Sequence, residues 1–126
     1  NRATALSGVI LRVADAQEAA QRYARYTGLL AQVSGSVWRI TTARGYLVFV
    51  DRNTLHRRLG VVPPALPWIA GCVLKTADIH ACGDILRRSG TPVHVLGSHQ
   101  LLVVLPPELG GIAIFEPADA GVLNFD

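Results

Sequence analysis

Residues 7–15 read SGVILRVAD and residues 70–78 read AGCVLKTAD. A small chain that writes one apolar run twice, each time headed by a glycine and closed by Ala-Asp, is built from two copies of one supersecondary unit. Val9–Val13 and Cys72–Lys75 suit buried strands. Asp15 and Asp78 stand where a carboxylate would accept from the free amides of a first helical turn, and Glu18 completes the spacing of a capping box. Helical periodicity then groups Ala19, Ala20, Tyr23 and Ala24 in the first copy, and Ala81, Cys82, Ile85 and Leu86 in the second. Gly28 and Gly90 lie just past the two helices, where a left-handed cap is favoured.

Three short apolar runs follow each helix. They are Leu30–Val33, Val37–Thr41 and Tyr46–Asp51 in the first copy, then Pro92–Leu96, His99–Leu105 and Ile112–Glu116 in the second. Gly97-Ser98 reads as a two-residue hairpin turn, and PPELGG at 106–111 as a longer loop. GYLVFVD at 45–51 matches GIAIFEP at 111–117. Each copy is therefore βαβββ, and one such unit leaves a sheet face uncovered. The expected fold is α+β: two paired βαβββ modules forming a cupped, mostly antiparallel sheet with helices on the outer face. Module 1 covers about 6–51, a linker 52–67 and module 2 about 68–117 of a single domain, 1–126. Within the linker, Asn53 is placed to cap a short helix ending at Gly60, before an extended Pro-rich stretch.

Composition narrows the function. Half of the 126 residues are apolar and 17% are charged, which argues against disorder. The net charge is +3, but the basic residues, all Arg apart from Lys75, are spread out, without the dense basic face of a nucleic-acid binder. Two cysteines without a CxxC spacing do not make a disulfide scaffold. No apolar run is long enough to span a membrane, and NRATAL does not resemble a signal peptide, so a cytoplasmic protein is expected. The sequence contains no Met, which reads as a fragment of a longer chain or a processed product.

The doubled pattern over about residues 6–117 resembles the vicinal oxygen chelate superfamily, also called glyoxalase/bleomycin-resistance-like. NRATALSGV at 1–9 and VDRNTLHRRLGVVPP at 50–64 are similar to segments in the C-terminal half of longer bacterial glyoxalase-like domain proteins. The resemblance implies a cup between modules in which metal enzymes place a His or Gln at the head of each first strand and a Glu in each last strand. Carried onto this chain, those positions fall on Gly8, Gly71, Val48 and Ile114, none of which offers a ligand. Of their neighbours only Cys72 has a metal-binding side chain, so no metal and no cofactor are expected. Strand alternation then puts Arg12, Tyr46, Lys75 and Glu116 in the cup, with Arg12 and Lys75 equivalent under the repeat. They read either as a grip for a small anionic or aromatic ligand, with Trp38 available to stack, or as long side chains snorkelling at strand ends. Across a two-residue turn, His94 and His99 would be diagonal neighbours, the one alternative metal or acid–base pair.

The reading that follows is a non-catalytic, metal-free domain with a structural or assembly role, joined to an N-terminal half of the same protein, with homodimerisation as a further expectation. The alternatives are a small-molecule binding module of the bleomycin-resistance type, or a glyoxalase- or dioxygenase-like enzyme whose site lies mainly outside these residues. Neither a nucleic-acid nor a membrane partner is expected.

Overall fold

The computed structural model describes residues 2–59, 62–120 and Leu123. Its elements run β1 (Ala3–Arg12), α1 (Ala16–Thr27), β2 (Ala31–Ser34), β3 (Val37–Thr42), β4 (Gly45–Val50), α2 (Arg52–Leu59), β5 (Trp68–Thr76), α3 (Ile79–Arg88), β6 (Val93–Leu96), β7 (Gln100–Val104) and β8 (Ile112–Pro117). This is the doubled βαβββ order expected from the repeat, with α2 in the linker. Two compact units result. The first is Gly8–Ala70; the second joins the described residues up to Ser7 with those from Gly71 onward.

In the first unit β1 pairs with β4 in parallel, while β4 with β3 and β3 with β2 are antiparallel. Asp15 caps α1 by accepting from the Glu18 amide at 2.9 Å, and Gly28 closes it at φ +70°. A glycine there avoids the Cβ strain of the left-handed region. The buried face of α1 supplies Ala16, Ala19 and Ala20, which pack on Ile40 and Phe49 with Leu11, Leu47 and Trp38 around them. Tyr23 stands at the rim, its ring edge-on to Phe49 with centroids 5.2 Å apart. Alanines let the helix approach the sheet closely while Phe49 and Trp38 fill the volume beneath.

The second unit repeats the plan. β5 pairs with β8 in parallel, and β8–β7 and β7–β6 are antiparallel. The start of β1 adds to it: Thr4 donates to the Lys75 carbonyl and Ser7 lies 3.2 Å from the Val73 carbonyl. Under α3, Cys82 meets Leu101, Val103, Ala113 and Phe115. Ile85, expected on that face, is more than a third exposed, and the contact is made by Ile79, Cys82, Gly83 and Leu86 instead. Burial pushes the thiols of Cys72 and Cys82 up from their ordinary value, which keeps both protonated and unreactive.

Two local expectations are corrected. The β6–β7 turn has three residues, Gly97–His99, because Leu96 pairs with Gln100. This register places Val93 beside Leu101 and Val103 under α3; a one-residue slip would turn His94 into the core instead. His94 is consequently exposed opposite Leu102 and His99 sits in the turn, so the two are not diagonal partners. The linker helix starts two residues earlier than expected. Asp51 accepts from the amides of Asn53 and Thr54 and from the Thr54 hydroxyl, so Asp51 and not Asn53 caps it. Gly60, the expected end, lies outside the described residues.

Asp78 caps α3 by accepting from the Ala81 amide at 2.9 Å. That bond lowers its pKa from the ordinary 3.8; desolvation, next in size, opposes it, and the His80 amide and the charges of His80 and Arg2 add to the lowering. The sign is that of a depressed carboxylate: its stabilisation is fully present above the ordinary value and lost as pH falls through the lowered one. Acid unfolding followed by circular dichroism should therefore show a shallower low-pH limb in Asp78→Asn, which retains a capping side chain but cannot ionise.

Candidate functional site

The four positions implied as metal ligands are occupied by packing. In the first unit Gly8 sits in register with Tyr46, whose ring lies where a side chain would project: a Cβ on Gly8 would come within 2.5 Å of Tyr46 Cε2. In the second unit Gly71 sits in register with Ile112. A Cβ there would overlap the Ile112 carbonyl oxygen and approach its Cγ1 to 2.7 Å. Val48 and Ile114 are fully buried hydrocarbon. Among the described residues no three His, Cys, Asp or Glu side chains gather closely enough to hold a metal ion. A metal does not fit these residues, since the head positions have neither donor atoms nor room for a side chain that carries one.

Arg12 and Lys75, equivalent under the repeat, are used alike. Arg12, only 1% exposed at the end of β1, donates from Nη2 to the Arg52 carbonyl at 3.1 Å, just beyond β4. Burial and then the charge of Arg52 lower its pKa, with Asp51 acting in the opposite sense. Lys75, near the end of β5, donates from Nζ to the Ala118 carbonyl at 2.7 Å, just beyond β8. In each unit a cation from the first strand holds the backbone that leaves the last strand. A charge-assisted bond to a carbonyl suits that tethering.

Glu116 shares register with Lys75 on β8 and is 1% exposed. Its carboxylate accepts from Ser7 Oγ at 2.9 Å and, at 3.4 Å, from Gln100 Nε2. The Ser7 hydroxyl has one proton, so its short contacts to Glu116 and to the Val73 carbonyl share it. A buried carboxylate with hydrogen-bond donors on two other strands ties β1, β7 and β8 together within the unit. Ser7 and Gln100 were invisible as partners in the sequence, where they lie 109 and 16 positions from Glu116.

Tyr46, 7% exposed, does face away from α1, and a second residue joins it. The Arg39 guanidinium carbon lies 4.4 Å from the Tyr46 ring centroid, and Arg39 Nε donates to Thr41 Oγ1 at 3.2 Å. Arg39 Nη1 is buried without a hydrogen-bond partner. Pairing Val37–Thr41 with Tyr46–Asp51 and applying strand alternation could have placed Arg39 on this face, because Arg39 is in register with Val48. Trp38, by the same alternation, lies on the opposite face. It pairs with Phe49 and packs into the core under α1, away from Tyr46.

Comparison with known proteins separates sequence from fold. No family model matches this chain, and no curated protein matches it. Solved structures do. A methylmalonyl-CoA epimerase variant from Streptomyces coelicolor, in complex with 2-nitronate-propionyl-CoA, is 18% identical, covers 94% of this chain and 99% of its own, and superposes with a TM-score of 0.63. The methylmalonyl-CoA epimerase from Mycobacterium tuberculosis gives 15% identity, coverages of 93% and 89%, and a TM-score of 0.61. A hypothetical protein from Bacillus halodurans gives 11%, 95% and 98%, and 0.62. At these identities the likeness speaks for the fold, and the chain has the fold of the vicinal oxygen chelate superfamily, in which the methylmalonyl-CoA epimerases are found.

Proposed function

We infer that this chain is a metal-free, non-catalytic domain of the vicinal oxygen chelate fold with a structural role in a longer protein. One observation carries the reading: the implied ligand positions at Gly8 and Gly71 are filled by the Tyr46 ring and by Ile112, so the space a liganding side chain needs is already used. The carbonyl tethers from Arg12 and Lys75 support it further, since both cations are committed to holding the fold. An N-terminal half of the same protein as partner, and self-association, belong to this reading. The exposed Leu30 and Val33, at and beside the short edge strand β2, are suited to the latter. No helix among the described residues is long and apolar enough to cross a membrane, and the free thiols of Cys72 and Cys82 accord with a reducing, cytoplasmic setting.

A second reading is favoured by Arg39. A buried donor left unpaired costs about 1–3 kcal/mol, and a guanidinium held over the Tyr46 ring is a suitable partner for a carboxylate or phosphate. The Streptomyces coelicolor epimerase of this fold is in complex with 2-nitronate-propionyl-CoA, an anionic ligand, which supports the reading. On this reading the domain binds a small anion at Arg39 and Tyr46, without chemistry.

Three measurements test these readings. Elemental analysis and calorimetric titration with Zn²⁺, Ni²⁺, Mn²⁺ and Fe²⁺ should find no stoichiometric metal; a one-to-one ion would overturn the metal-free assignment. Methylmalonyl-CoA incubated with the protein in D₂O should acquire no deuterium, whereas exchange above the buffer rate would establish catalysis. A thermal-shift series with methylmalonate and free CoA should show any stabilisation lost in Arg39→Gln; a shift that survives the change removes Arg39 from the second reading.

The filled head positions also predict a stability difference. Gly71→Ala drives a methyl against a backbone carbonyl that cannot rotate away, while Gly8→Ala meets a side-chain ring. Both should destabilise by about 1–3 kcal/mol in urea unfolding, with Gly71→Ala the larger.

A further inference from the structure

The second unit holds a cleft that the preceding readings do not use. It opens between one face of α3 and the β6–β7 hairpin, on the helix-covered side of the sheet, and measures about 220 Å³. Its apolar walls are Ile79, Val95 and Leu101; its polar groups are His80, Arg87, Ser98 and His99, with Gln100 beside them. None of the lining residues is a carboxylate. All the ionisable side chains lining it are therefore cations or imidazoles, and an imidazole keeps a donor N–H in either protonation state.

Gly83 is the feature that makes the cleft. It lies in the middle of α3, is buried, and occupies a position where alanine would favour the helix. A Cβ there would come within 3.1 Å of both Arg87 Nη1 and Leu101 Cδ1. The missing methyl lets the Arg87 guanidinium lie back against the helix beside Leu101. The ion-pair partner of Arg87 is Asp84, at 3.6 Å with both side chains more than half exposed. A surface pair of that length holds a guanidinium weakly. The volume falls below the roughly 300–1,000 Å³ of pockets for drug-sized ligands, which restricts the occupant to a single ring or a short chain. An apolar floor with donors at its rim favours an acid with a flat hydrocarbon body.

We propose that the cleft between α3 and the β6–β7 hairpin binds a small aromatic monocarboxylate, with its carboxylate on Arg87 and the flanking imidazoles and its ring against Gly83 and Leu101. The site is independent of the metal-free assignment and of the Arg39–Tyr46 reading, which concerns the first unit.

Sodium benzoate titrated into the ¹⁵N-labelled chain tests it. Saturable amide shifts should be confined to residues 79–87 and 95–101. Arg87→Gln should weaken binding about tenfold or more, as loss of a charge-assisted bond requires. Gly83→Ala should weaken it as well, while Arg22→Gln on the first unit, an equal change in net charge, should not. Circular dichroism of each variant establishes that α3 is retained. Benzyl alcohol, which keeps the ring without the charge, and inorganic phosphate, which keeps charge without the ring, should both bind at least tenfold more weakly. The proposal is overturned if either binds as well as benzoate, if Arg87→Gln leaves the affinity unchanged, or if millimolar benzoate gives no saturable shift. Shifts centred on Arg39 and Tyr46 would overturn it too, while supporting the anion site of the first unit.

Discussion

Gly8 within β1 and Gly71 within β5 have no Cβ, and the packing of both units depends on that absence. At Gly8 the vacated space admits the ring of the residue paired with it, so Tyr46 can lie flat across the strand and carry Arg39 on its face. At Gly71 the space is used by backbone, with the Ile112 carbonyl closing in. The two copies solve one geometric problem by different means, ring over glycine in one and close parallel strands in the other. A side chain long enough to coordinate an ion would have to displace one or the other. The glycines therefore matter to packing as well as to chemistry, since the interior is filled around the smaller residue.

A second regularity concerns charge. Buried or half-buried cations and carboxylates in a sheet usually invite a search for a reacting centre. Here Arg12 and Lys75 each reach a carbonyl immediately past the last strand of their own unit, and Glu116 gathers hydroxyl and amide donors from neighbouring strands. Polar groups placed this way fix register and strand ends. Arg39, which lies over the Tyr46 ring, has one donor buried and unmatched.

Most of the fold was legible because its signals are local. Asp15, Asp78, Gly28 and Gly90 punctuate helices through backbone groups within a few residues, and the apolar runs mark strands by composition alone. The misreadings share a cause. The Gly97-Ser98 dipeptide suggests a two-residue turn, but the length of the turn is set by which side of β6 joins Leu101 and Val103. Asn53 has the chemistry of a cap, but Asp51, also a good cap and two residues closer to β4, accepts from the amides of Asn53 and Thr54. Trp38 reads as a stacking residue by its type, whereas its face is set by its register with Phe49 on β4.

By itself the sequence determined that a strand–helix–sheet unit is written twice, where its helices begin and end, and that the positions implied for metal ligands lack donor atoms. These follow from residue chemistry and short-range periodicity. The tertiary structure alone decided what fills the space at Gly8 and Gly71, which carbonyls the equivalent cations hold, that Ser7 meets Glu116, and that Gly83 lines a cleft with Arg87. Those outcomes depend on strand register and on contacts between residues far apart in the chain, where a shift of one position moves every side chain to the other face of the sheet.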